Sequence, residues 1–202
     1  MDCLPYLMTV PGRAPVLARR KLIPNKRNVI EGRLHIVLCK SGGRPIMERY
    51  ARNTVVRSGA ELVAALFRGE LSTPINGMAV GIDNTPTSPP YEITTLTTTA
   101  PDGTPVIQNA AVAIEPAVIR VEVLTGELKV RVSVRGVMPE THANSPDPAD
   151  PPVMIGEAAL GVLAEGGAAL GQIYNRVVFE PIPKTSAHEL ALYWEVAFPY
   201  GP

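Results

Sequence analysis

His35, His142 and His188 are the side chains in this sequence best suited to proton transfer or metal ligation, and Cys3 and Cys39 are its only thiols. Their spacing gives them no common task. No pair of the histidines stands at a ligand interval, and the cysteines do not form a Cys-x-x-Cys pair, so neither set predicts a zinc site. His35 lies in an apolar extended run and reads as structural, whereas His142 lies in a polar, proline-dense stretch and reads as solvated. Residues 161–171 are glycine-rich, but they lack the Lys-Ser or Lys-Thr that a phosphate-cradling loop requires. A Gly-x-Ser-x-Gly nucleophile elbow is also missing. These residues predict a protein that is not an enzyme and that holds no metal or cofactor.

The charged residues with apolar neighbours point to structure instead. Glu157 lies between Ile155 and Leu160, and Arg176 between Tyr174 and Val177, so both are drawn toward a partly buried zone where ions need partners. Two readings stay open: an ion pair that fixes how the two segments meet, or two independent surface charges. Lys184 reads as a turn cap. Trp194, the single tryptophan, shares an alternating face with Leu190, Leu192, Val196 and Phe198, while Tyr193 and Glu195 take the other face. That pattern assigns Trp194 to the core.

The elements that must carry these residues are mostly strands. Residues 33–40 read as a strand, 41–43 as a turn and 44–56 as a returning extended segment. Residues 75–82 read as a short buried strand. Residues 83–90 and 139–152, rich in proline and turn formers, read as surface loops. The threonine-rich residues 94–99 fit either an exposed strand or a loop. Residues 118–134 alternate as a hairpin, and a two-residue turn at Thr125-Gly126 would set Val123 opposite Leu128, Val121 opposite Val130 and Glu122 opposite Lys129. Residues 153–163, 172–179 and 189–198 supply three further extended runs, with a turn at Gly166-Gly167.

One helix interrupts this series. Ser58 and Glu61 have the spacing of a capping box, Ala60, Val63, Leu66 and Phe67 recur as an apolar face, and Gly69 stops the turn. A helix of about three turns is marginal alone, so the strands must supply its packing surface. The expected fold is mainly β: an antiparallel β-sandwich with one short helix over residues 32–202, preceded by an extended N-terminal arm over residues 1–31.

Composition agrees with that fold and bounds the function. The 202 residues are 19% charged and include 21 prolines and 17 glycines, which favours turns over long amphipathic helices. No apolar run of 18 residues exists to span a membrane as a helix. The first residues lack the basic flank and apolar stretch of a secretory signal, so the expectation is cytoplasmic synthesis with free thiols at Cys3 and Cys39.

A formal net charge of zero hides an asymmetry. Residues 1–52 carry eleven Lys and Arg against Asp2, Glu31 and Glu48, a balance of +8, so residues 53–202 carry −8. Arg13, Arg19, Arg20, Lys21, Lys26 and Arg27 concentrate this charge in a segment whose prolines forbid a long helix or a central strand. Such an arm can lie across the acidic body of a neighbouring copy or bind nucleic acid. Its few aromatics favour the neighbour over nucleic acid.

Arg44, Asn53-Thr-Val-Val-x-x-Gly, the helix ending in Gly69, Met78-Ala-Val-Gly81, Ile155-Gly-Glu-Ala-Ala-Leu160, Asn175-Arg-Val-Val-Phe-Glu-Pro-Ile-Pro-Lys184 and Glu189-Leu-x-Leu-x-Trp-x-Val-x-Phe198 follow one another in an order that resembles small structural proteins of tailed bacteriophages. Similar parts occur in phage-derived contractile injection particles. The resemblance spans roughly residues 32–200, although Ala159 stands where the group usually has glycine. It implies a virion component of the tail, neck or collar, made in a host bacterial cytoplasm and acting by assembly as a homo-oligomeric ring with other virion proteins. A capsid decoration protein and a receptor- or carbohydrate-binding module are the alternatives. Against the last, loops 83–90 and 139–152 offer no aromatic platform.

Overall fold

Alternating apolar side chains on paired strands give each sheet one face that must be buried, and two such faces closed against each other make the core. The computed structural model describes residues 29–70, 73–89 and 91–201. In chain order the elements are β1 (Glu31–Lys40), β2 (Pro45–Arg52), β3 (Thr54–Val55), α1 (Arg57–Phe67), β4 (Gly77–Gly81), β5 (Ala111–Ala113), β6 (Ile119–Leu124), β7 (Lys129–Met138), β8 (Val153–Leu163), β9 (Leu170–Lys184) and β10 (His188–Pro199), with a 3-10 turn at Pro116–Val118 before β6. One five-stranded sheet runs β2-β1-β10-β7-β6 and the other β3-β9-β8-β4-β5. Every pairing is antiparallel. The expected β-sandwich with one short helix is the fold observed, and residues 1–28, which include the basic arm and Cys3, lie outside the described residues.

The predicted extended segment at 44–56 divides at Asn53, where the chain leaves β2 in the first sheet and enters β3 in the second. Leu34, Ile36 and Leu38 of β1, Leu190, Leu192, Trp194 and Val196 of β10, and Val134 and Met138 of β7 meet Met78, Val80, Ile155, Leu160, Val177 and Ile182 of the facing sheet. Trp194 is 1% exposed and stands in register between Leu34 and Val134. The threonine-rich stretch is a loop: Thr99 bridges to Pro105 within the same β4–β5 connection, and the Thr97 carbonyl accepts the Ile82 N–H at 2.9 Å. Sequence patterning did not anticipate β5, a strand too short to show a period.

The helix docks differently from its sequence pattern. It begins at Arg57 with Val56 as N-cap and has no side-chain cap, so the predicted Ser58–Glu61 box does not form. Ser58 Oγ instead donates to the Ile173 carbonyl at 2.7 Å, and Glu61 accepts from Arg57 Nε at 3.0 Å. The buried face centres on Gly59 and Leu62, whereas Leu66 and Phe67 are exposed. Gly59 explains the rotation, because a Cβ there would stand 1.8 Å from the Tyr174 carbonyl oxygen. Backbone meets backbone at a residue with no side chain, and an apolar-pattern reading gives such a residue no weight. Ser58→Ala should therefore cost about 1 kcal/mol by leaving the Ile173 carbonyl without its donor. Ser58→Asp should cost more than Ser58→Ala, since a carboxylate facing a carbonyl repels it. An aspartate variant as stable as wild type in urea denaturation would restore the capping role.

The β6–β7 hairpin keeps its predicted alternation but shifts register by two residues, and Val121 and Val123, on the face expected to be core, are exposed. Val121 pairs with Val132, Val123 with Val130 and Leu124 with Lys129. A two-residue turn of the favoured type would need a positive φ at Thr125, which a β-branched residue resists. Residues 125–128 form the loop instead, and the left-handed residue is Leu128, with φ of 53°. Its carbonyl accepts the Tyr200 N–H at 2.9 Å. The new register sets Glu122 opposite Arg131 and Arg120 opposite Ser133, removing the Arg120–Arg131 repulsion that the shorter turn would impose.

Candidate functional site

Two polar constellations lie on opposite sides of the sandwich: a buried one beneath the loop between β4 and β5, and an open one on the outer face of the first sheet. In the buried one, β8 and β9 bring Glu157 and Arg176 together, 1% and 2% exposed, with Arg176 Nε 2.6 Å from Glu157 Oε2. The ion-pair reading is the one the structure shows. Arg176 also donates to the Thr85 carbonyl and the Thr87 hydroxyl through Nη1, at 2.9 and 2.8 Å, and to Asp83 Oδ2 through Nη2 at 2.9 Å. The second Glu157 oxygen accepts the Thr97 N–H at 2.6 Å. One guanidinium thus holds β8, β9 and the predicted surface loop 83–90 in one geometry.

Burial raises the Glu157 carboxyl above its ordinary range despite the Thr97 N–H and Arg176, while hydrogen bonds from Thr85, with Arg176 assisting, hold Asp83 below its own. Ile93 and Leu96 from the same loop pack on Val56, Ala159 and Ile173, forming a second small apolar cluster. Every polar group in the network is spoken for. The network fixes how these segments meet.

Lys184 caps a turn as its sequence suggests but does so from the interior, and His142 departs from its sequence assignment. Lys184 is fully buried, and its ammonium donates to Asn144 Oδ1 and to the Thr185 carbonyl, both at 3.0 Å. It thereby pins the loop 139–152, in which Ala143 is buried and Asn144 bridges to Gln108 of the β4–β5 connection. His142 is half-buried rather than solvated, and burial, with the Lys184 charge, pushes it below its ordinary range.

Desolvation pushes Lys184 down to about 8, against the opposing pull of Glu140 and Glu189. Because its folded pKa is depressed, the folded chain holds fewer protons than the unfolded chain between that value and the ordinary lysine range. Stability should accordingly rise as pH increases from about 8 toward 10, an increment that Lys184→Met should abolish in pH-dependent urea denaturation. An unchanged slope in the methionine variant would assign the effect to other groups.

The open constellation was not legible as a site in the sequence. Strand order brings Tyr50 of β2, His35 of β1, Tyr193 of β10 and Arg135 of β7 into one cross-strand row. Tyr50 and His35 stack with centroids 4.2 Å apart and planes within 3°, Tyr193 follows at 5.6 Å, and the Arg135 guanidinium lies 5.7 Å from the Tyr193 ring centre. Glu48 Oε2 fixes the end of the column, 3.0 Å from His35 Nε2 and 3.2 Å from the Tyr50 hydroxyl. The next row holds Arg52, Arg33, Glu195, Ser133 and Arg120.

Together the two rows floor a groove of about 990 Å³, walled by Ala117 and Val118 of the 3-10 turn. Tyr193 and Glu195 do occupy the wet face predicted for them; what sequence reasoning missed was their convergence with β1, β2, β6 and β7. Alternation marked each residue as outward-facing, but nothing local revealed which strands become neighbours. No protein-family model matches the chain, and no curated protein or solved structure matches it either.

Proposed function

We propose that this chain is a non-catalytic structural subunit of a tailed-phage virion, in its tail, neck or collar region, or of a related contractile injection particle, and that it works by assembly into a closed ring. The observation that carries the reading is the bare inner face of the β6–β7 hairpin. Val121 and Val123 are 65% and 62% exposed, although they lie on the same face of the strand as core-packed Ile119. The reason is geometric: β5, at the corresponding edge of the facing sheet, is only three residues long and cannot cover a six-residue β6. Among the described residues β6 is also an edge strand, so unpaired backbone groups accompany the exposed valines.

An apolar strip on an open edge is a liability in an isolated molecule and an asset in one that buries it against a neighbour. Ring closure supplies that neighbour through a heterologous contact repeated by rotation. The ordered motifs that resemble phage structural proteins give this assembly its biological setting, and the basic arm offers a second, charge-driven contact with the acidic body of an adjacent copy.

Val121→Ser with Val123→Ser should leave the thermal midpoint almost unchanged, because neither side chain is buried in the protomer. In sedimentation velocity the wild type should form a closed oligomer, whereas the double variant should run as a monomer and be missing from purified particles. A wild-type chain that remains monomeric at every concentration and is absent from particles would overturn the reading.

A further inference from the structure

We infer that the groove on the outer face of the β2-β1-β10-β7-β6 sheet is a binding site for single-stranded nucleic acid, with its phosphates on the arginine row and a base on Tyr50. The inference is independent of the valine hairpin, which faces the other way. Its first support is unspent charge. Arg49, Arg57, Arg68, Arg131 and Arg176 each have a carboxylate partner, whereas five arginines form no ion pair among the described residues, and four of those five, Arg33, Arg52, Arg120 and Arg135, line this groove, Arg44 being the exception. Arg33 and Arg52 are directly opposed in register, a like-charge juxtaposition that is unfavourable until an anion lies between them. Glu195, opposite Arg33 on the other side, lies 3.6 Å from Arg131 and forms no bridge with Arg33. The face attracts a polyanion.

The second support is the form of the array. From β2 to β6 the row crosses four strand spacings, roughly 19 Å. Its arginines stand on β2, β1 and β6, with Glu195, neutralised by Arg131, and Ser133 between them, so its separated positive charges suit a chain of anions better than one compact ion. The aromatic row runs beside it two residues along the same strands, an offset of about 7 Å, which leaves room for bases next to their phosphates. Tyr50 ends the column on an edge strand, with His35 on one ring face and 74% of the residue exposed. A flat base extends that stack. Duplex DNA keeps its bases inside and would use only the arginines, and an acidic peptide has no use for the open ring; a single strand uses both rows.

Fluorescence anisotropy of the full chain with a labelled oligothymidylate, titrated across a range of salt, tests the inference. Arg33→Gln, Arg52→Gln and Arg120→Gln combined should reduce the slope of log affinity against log salt by about 2, at roughly 0.7 per lost phosphate contact. Tyr50→Ala should weaken binding at least about fivefold with the slope unchanged, and Tyr50→Phe should retain it, since the ring and not the hydroxyl carries the stack. Arg19→Gln, Arg20→Gln and Lys21→Gln in the arm provide the control for nonspecific attraction. No binding by the wild type, groove variants that match it while the arm variant loses binding, or displacement of the oligonucleotide by polyglutamate at equal charge would each overturn the assignment.

Discussion

Arg176→Met is expected to destabilise the sandwich by about 3–5 kcal/mol, because it removes the partner of a carboxylate that has no access to water. Glu157 is 1% exposed and keeps only the Thr97 N–H once the guanidinium is gone. The loop would suffer as well, since Asp83, Thr85 and Thr87 lose their shared donor. Arg176→Lys should rescue little: an ammonium cannot reproduce the planar fork that serves Glu157, Asp83 and two threonines at once. Combining Arg176→Met with Glu157→Leu should recover much of the loss, because the buried charge leaves with its partner. Urea denaturation of the four proteins, with limited proteolysis across residues 83–90, reads both effects. A loss below about 1 kcal/mol for Arg176→Met would mean that the pair is solvated in solution and does not fix the loop.

Trp194→Ala should cost a comparable amount, about 3–5 kcal/mol, by a different mechanism. The indole stands between Leu34 and Val134 on adjoining strands and faces the second sheet, so truncation opens a cavity that hydrogen-bonded strands on both sides cannot close. Trp194→Phe should lose less, since a smaller ring still fills most of that space. Circular dichroism and denaturant midpoints of the three proteins provide the measurement. A midpoint unaffected by the alanine substitution would put Trp194 outside the core. The two substitutions should also differ in their pH response: the Arg176 effect depends on the ionisation of Glu157, whereas the Trp194 effect involves no titrating group.

The sequence by itself determined the class of fold and the inward or outward direction of most strand residues. Alternation is a property of each strand alone, which is why Leu190, Leu192, Trp194 and Val196 were assigned correctly to the buried face and Tyr193 and Glu195 to the wet one. The Glu157–Arg176 pair was half legible, as charged residues among apolar neighbours, but its second carboxylate, Asp83, and the two threonines reside in a loop some ninety positions from Arg176 in the chain. Register and docking were decided by terms the pattern does not contain. The Thr125 backbone and the Glu122–Arg131 pair chose between two hairpin registers that place the same valines on one face, and the close approach of Gly59 to Tyr174 turned the helix away from Leu66 and Phe67. The tyrosine and arginine rows required tertiary structure outright, because each residue only faces outward on its own strand and acquires its neighbours from the order in which the chain lays strands side by side.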